Sequence, residues 1–213
     1  MGLYDPTKQC YQTSPLPPGT ALSQAEIADR LNISHTPVCE AFLILVEDGL
    51  PNIYPQKGSF VSLIDIEQVE EARFVRNVPG KAVMKEACEN FPDDWLFDLF
   101  ANLEMQRFCQ KEKNYERMYQ IDNEFHHIIY KGCSKERIWR HIRKMSYNVD
   151  RLRIIRLAAG LSWDTMIHGY ERSGACIREK DPARVDEVIE QHLTRAGVGD
   201  LSNQPSEYFT RIP

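Results

Sequence analysis

Hydrophobic and polar positions divide the chain into a short-element part and a long helical part. After a turn at "PLPPGT" (15–20), Ser23 is followed three residues later by Glu26. That pattern opens a helix by reciprocal capping of its first N–H groups. The helix runs through "QAEIADRL" and stops at Asn32. Ser34 or Thr36 can cap a second helix, and Pro37 is tolerated in its first turn. Within "VCEAFLILVEDG", Val38, Ala41, Phe42 and Val46 recur at helical spacing and are predicted to face a core, with Gly49 closing the helix. "NIYPQKGSFVSL" then reads as a β-hairpin, with a short strand, a turn at Gln56–Gly58 and a second strand over Ser59–Leu63. Helix, tight turn, helix, hairpin is the winged helix-turn-helix order.

From residue 65 onward the periodicity is helical throughout. The first helix begins near Asp65, and "VPG" at 78–80 is predicted to kink or end it. Further helices are predicted at about 81–90, 93–111, 114–131, 135–159, 164–179 and 182–197. In the 135–159 segment, Ile138, Ile142, Met145, Val149 and Leu152 alternate steps of four and three, a seam for packing on other helices. "NQPSEYFTRIP" reads as an irregular tail. The predicted class is mainly α, with an N-terminal winged helix-turn-helix over 1–64, an all-helical antiparallel bundle over 65–200 and a tail over 201–213. A leading helix before "PLPPGT" is poorly supported, because "YDPTKQCYQT" holds a proline and few apolar anchors.

Composition narrows the class. With 42% hydrophobic and 27% charged residues, the 213-residue chain can build a core. No apolar run approaches the length of a membrane span, and "MGLYDPTKQC" has no signal-peptide pattern, so a cytoplasmic protein with no membrane association is expected. The six cysteines are widely spaced without a C-x-x-C pair, and are read as reduced packing residues. The net charge of −5 is unevenly spread. Residues 1–65 carry three basic side chains (Lys8, Arg30, Lys57) against seven acidic ones, whereas the remainder is nearly balanced.

The segment "PPGTALSQAEIADRLNISHTPVCEAFLILVEDGLPNIYPQKGSFVS" resembles the GntR-family winged-helix domain. It carries the turn and cap, the "S-x-T-P-V-x-E-A" helix start and the "P-x-x-G-x-F-V" wing. The helical remainder is similar to the FadR-type C-terminal ligand-binding domain, the FCD domain, through "DNEFH" at 122–126, "YNVDRLR" at 147–153 and "HL" at 192–193. Together these cover about residues 15–197. The resemblance implies a dimeric bacterial transcription regulator that releases or rebinds operator DNA on meeting a small organic acid.

In such a head the start of the second helix enters the major groove. The expected DNA contacts are Ser34, His35, Thr36 and Cys39, with Lys57 and Gly58 in the wing. His35 and Cys39 stand where the family usually has arginines, which bond both acceptors of guanine. With few cations to displace counterions, two readings compete: an operator-binding regulator, or a metal- and ligand-binding protein of this fold with weakened or lost DNA binding.

Asp122 and His126 lie one helical turn apart, bordered by Met118, Ile121, Phe125 and Ile129, so both are predicted to point inward. His192 follows Val185, Val188 and Ile189 at helical spacing. A buried carboxylate needs a partner, and Asp with His from facing helices suits Zn²⁺, Ni²⁺ or Mn²⁺. From the residues alone, hydrogen-bonded core histidines are the commoner account. The resemblance implies a metal held by one Asp and three His. Asp122, His126 and His192 match three of these, and the fourth position falls on Tyr170, which would supply a phenolate or line the cavity. His168 is two residues away and is predicted to face outward. Arg76, Arg151, Arg153 and Tyr170 are the candidates for binding an effector carboxylate, since Arg offers that group two parallel bonds. No H-E-x-x-H, Gly-rich phosphate loop or nucleophile elbow is present, so no enzyme is expected.

Overall fold

The computed structural model describes residues 16–47, 49–158, 164–195 and 206–210, with the side chains of 115, 116, 156–158 and 191–195 left out of the description. The chain forms two compact units, residues 1–67 with 201–213, and residues 68–200. The segment before residue 16, where a leading helix was considered, lies outside the described residues.

In the first unit the described elements are β1 (Ala21–Leu22), α1 (Gln24–Leu31), α2 (His35–Glu47), β2 (Pro51–Tyr54) and β3 (Gly58–Val61). Ser23 caps α1 as the sequence predicts, its hydroxyl accepting from the Glu26 N–H at 3.2 Å. Asn32 ends α1 in the left-handed region. Helix α2 begins at His35, so Ser34 precedes its first turn, and Gly49, at φ +72°, closes it. The sheet order is β1-β3-β2, all antiparallel, with Asn52 and Ala21 both opposite Phe60. Gly58, at φ +101°, allows the sharp reversal between β2 and β3. Leu22, Ala28, Val38, Phe42 and Val61 form the core of this unit. Val46, predicted to face that core, is 37% exposed, and Leu45 is buried in its place. The tail is not wholly irregular: Phe209 bridges Ile64 in parallel, and the Ile64 N–H donates to the Tyr208 carbonyl at 2.8 Å.

The helical part comprises α3 (Ile66–Glu89), α4 (Asp93–Lys111), α5 (Tyr115–Gly132), α6 (Glu136–Met145), α7 (Tyr147–Ala158), α8 (Asp164–Glu179) and α9 (Val185–Arg195). Two expectations fail here. Pro79 neither ends nor divides α3, because residues on both sides of it are held in the core: Val69 and Ala72 before, Val83, Met84, Ala87 and Cys88 after. Packing outweighs the local cost of a helical proline. Conversely, the segment predicted as one helix over 135–159 breaks at Ser146. Its buried hydroxyl donates to the Ile142 carbonyl at 2.8 Å, a local bond that competes with the helical ladder. The predicted seam is therefore cut. Ile142 and Leu152 are buried, while Ile138 and Met145 are exposed. Arg143 clasps the break, pairing with Asp150 at 2.7 Å and donating to Asn123 at 3.0 Å.

Helix α4 buries Leu99, Asn102, Leu103, Gln106 and Cys109 along one face. The Asn102 amide donates to the Ile121 carbonyl at 3.0 Å, tying α4 to α5. Gly132 ends α5 against Phe91, where a Cβ would lie 2.2 Å from the ring. Among the described residues no helix is long and apolar enough to cross a membrane.

Candidate functional site

Helices α3, α5, α7, α8 and α9 enclose a cavity of about 880 Å³, counting its open mouth. Met84, Phe125, Ile129, Val149, Met166 and Ile189 supply its apolar wall, and Arg73, Arg76, Asn77, His126, Tyr130, Arg153, Tyr170 and Ser173 its polar one. The Ser146 break lets α7 set out in its own direction, and this second helix brings Val149 and Arg153 to the cavity.

Asp122 is fully buried, and its Oδ1 is taken twice. The Arg153 guanidinium pairs with it, and the Tyr170 hydroxyl donates to it. Burial pushes the Asp122 carboxyl up, but Arg153 and Arg76 outweigh burial and the net direction is down. Burial pushes the Tyr170 phenol far above its ordinary range, and Asp122 adds to the rise. The Tyr170 hydroxyl acts here as a donor, to Asp122. Burial opposes the charge on Arg153, but Asp122 more than restores it. For Arg76, burial and the repulsion of Arg153 outweigh the pull of Tyr170, Asp122 and Asp150, and the net direction is down. Its guanidinium lies over the Trp139 ring, 5.8 Å from the centroid, and has no carboxylate partner among the described residues.

His126 reaches the cavity, as its spacing predicts, but within an aromatic group. Its ring stacks on Trp139 at 5.8 Å between centroids and meets Tyr170 edge-on at 5.4 Å. No cluster of three His, Cys, Asp or Glu that could hold a metal occurs among the described residues. The side chain of His192, the third proposed ligand, lies outside them; Ile189, one turn earlier on α9, lines the cavity. The Asp122 carboxylate faces a guanidinium through Oδ1. A divalent ion about 4 Å from that guanidinium would be repelled by about 8 kcal/mol at an effective dielectric near 20. Asp122 Oδ1 is thus poorly placed to take a metal, while Oδ2, also buried, has no hydrogen-bond partner among the described residues.

Arg153 and Arg76 are brought together with Tyr170. Arg151 is not: its guanidinium donates to Asn148 at 3.2 Å, and it does not line the cavity. His168 is exposed and pairs with Glu171 at 3.1 Å. Sequence reasoning missed Asn77 and Tyr130. Both were reachable, since Tyr130 continues the Asp122–His126 stripe by one more turn and Asn77 lies one turn beyond Arg73. Buried polar atoms at this site with no hydrogen-bond partner among the described residues include Asn77 Oδ1, Asp122 Oδ2, the Tyr130 hydroxyl and Arg153 Nη1.

In the first unit, Ser34, His35, Thr36, Lys57 and Gly58 are exposed. Cys39 is half-buried, its Sγ 3.2 Å from His35 Nδ1 and donating to Gln24 Oε1 at 3.1 Å. The two residues that replace arginines are therefore in contact with each other.

Residues 12–61 match the family model for bacterial regulatory proteins of the gntR family, and residues 75–195 match that of the FCD domain. The chain belongs to the GntR family, with a helix-turn-helix domain followed by an FCD domain. It is similar to the HTH-type transcriptional repressor RspR of Escherichia coli (strain K12), 28% identical over 91% of this chain and 86% of that protein. An uncharacterized HTH-type transcriptional regulator of Streptomyces ambofaciens is 26% identical over 93% and 83%. Among solved structures, E. coli McbR/YncC superposes with a TM-score of 0.74 at 21% identity, covering 89% of this chain and 92% of that one. The chain is a transcriptional regulator of the GntR/FCD type and not an enzyme.

Proposed function

We propose that this regulator binds operator DNA as a homodimer in the cytoplasm and that a small carboxylate, captured in the helical cavity, sets its affinity for that DNA. Arg153 and Arg76 hold the carboxylate. The observation that carries this reading is Arg153 Nη1, a buried guanidinium nitrogen without an acceptor, in the same cavity as a second arginine that lacks a counter-ion among the described residues. Among the described lining residues, two half-buried guanidinium groups, Arg76 and Arg153, face one another without a second carboxylate between them. An unsatisfied buried donor is costly, and a ligand carboxylate would satisfy it bidentately. Asn77 Oδ1 and the Tyr130 hydroxyl favour a ligand that also carries a hydroxyl or amine donor.

The DNA contacts we propose are Ser34, His35, Thr36 and Cys39 at the start of α2, with Lys57 and Gly58 at the hairpin turn. Exposure of the α2 start and of the turn supports this. Two heads in a dimer would read two half-sites. Phe97, Met105 and Phe108, exposed along one face of α4, offer apolar surface to a second copy.

A thermal-shift screen of small carboxylates against their matched amides tests the ligand class. Carboxylates should raise the melting temperature and amides should not. Equal response to both, or response to neither across the panel, would count against the reading.

A further inference from the structure

The relation of Asp122 to Arg153 has a consequence for cofactor chemistry. Matching residues at Asp122, His126 and His192 imply a divalent ion, yet three features of this chain oppose one. Asp122 Oδ1 is paired with Arg153 and accepts the Tyr170 hydroxyl. Tyr170, at the position of the expected fourth ligand, is an O–H donor fully enclosed in the core. His126 is packed flat on Trp139 and edge-on to Phe125 and Tyr170, so its ring is positioned by aromatic neighbours.

We propose that the Arg153 guanidinium takes the place of the metal ion in this domain: it neutralises Asp122 and presents its remaining N–H groups to the ligand carboxylate, so the cavity works without a divalent cation. This deepens the carboxylate reading above and refines it, replacing coordination by paired hydrogen bonds. The geometry is consistent within itself. One edge of the guanidinium pairs with Asp122 Oδ1, and Nη1 remains without a protein partner among the described residues. A planar fork can serve two carboxylates at once, one from the protein and one from the ligand.

The test uses the full chain, stripped with EDTA, and measures uptake of Zn²⁺, Ni²⁺ and Mn²⁺ salts alone by calorimetry and elemental analysis, alongside Asp122→Asn. The expected result is that wild type and Asp122→Asn take up the same amount, well below stoichiometric. An equivalent of metal bound by wild type and lost in Asp122→Asn would overturn the proposal. Should Asp122→Asn fail to fold, the wild-type melting temperature decides. It should be unchanged by EDTA and by added Zn²⁺, whereas a fall of several degrees on chelation, reversed by metal, would overturn the proposal. The metal titrations are run after the chelator is dialysed away and with no metabolite carboxylate added, so the inference and the carboxylate reading fail separately.

Discussion

Replacing Arg153 with methionine removes the guanidinium and keeps most of the volume of its stem. Asp122, with no exposed surface, would then face its pocket with only the Tyr170 hydroxyl as a donor. Arg153 itself is only 14% exposed, so solvent screens the pair little. Breaking a buried pair by removing one partner costs about 3–5 kcal/mol, most of it the penalty on the charge left behind. At about 3 °C per kcal/mol for a domain of this size, Arg153→Met should lower the melting temperature by about 10–15 °C. The paired variant Asp122→Asn with Arg153→Met should recover part of that, giving a coupling of about 2–3 kcal/mol in a double-mutant cycle. The pH dependence has a defined sign. The Asp122 carboxyl titrates below its ordinary value of 3.8 in the folded chain. Its contribution is complete above that value and is lost as pH falls through the lower folded value. Urea unfolding followed by circular dichroism should show wild type and Asp122→Asn separated by a constant margin from neutral pH down to about 5, narrowing below about 4. Additive single variants, or a margin that widens in acid, would refute the pairing.

Three further outcomes are expected. Arg76→Ala should weaken carboxylate binding by about 10–100-fold, as loss of a charged hydrogen-bond donor does, while the melting temperature of the ligand-free chain holds or rises, because burial and Arg153 both oppose that charge. Tyrosinate absorbance should report Tyr119 and Tyr130 ionising late, since burial pushes both up to about 12, with Tyr170 later still. Their raised values contribute stability that is complete below the ordinary value of 10.0 and is lost as pH rises through the folded values. Lys57→Ala should weaken binding to all duplexes alike and reduce the slope of log affinity against log salt by about one, read by fluorescence anisotropy.

Much of the first unit was legible because its signals are local. The Ser23–Glu26 cap, the Gly49 stop and the Gly58 reversal each act within a few residues, and all three stand in the structure where the sequence places them. Strand β1 was not legible: two residues have no period, and Ala21–Leu22 become a strand only by pairing with Ser59 and Phe60 nearly forty positions away. Pro79 and Ser146 failed in opposite directions for one reason. Each local rule was weighed without knowing what the flanks bury. Packing on both sides carried α3 through a proline, while a buried serine hydroxyl divided a segment whose periodicity looked continuous. At the site, the inward turn of Asp122 and His126 followed from spacing alone. The partner of Asp122 did not, because a carboxylate one turn from a histidine reads equally as half of a metal site or as an acceptor for a cation. Only the approach of α7 and α8 to α5, which brings Arg153 and Tyr170 to the same oxygen, distinguishes the two.

The central claim is that a carboxylate bound between Arg76 and Arg153 alters the grip on DNA. The most direct measurement is anisotropy of a labelled duplex, selected by the protein from a random library, titrated with the wild-type chain and with Arg76→Ala, each with and without the carboxylate that most raises the melting temperature. The account expects that carboxylate to change wild-type DNA affinity by about 5–150-fold, the usual span of allosteric coupling, and to leave the affinity of Arg76→Ala unchanged at the same concentration. An effect of equal size in both proteins, or none in the wild type at saturation, would contradict it.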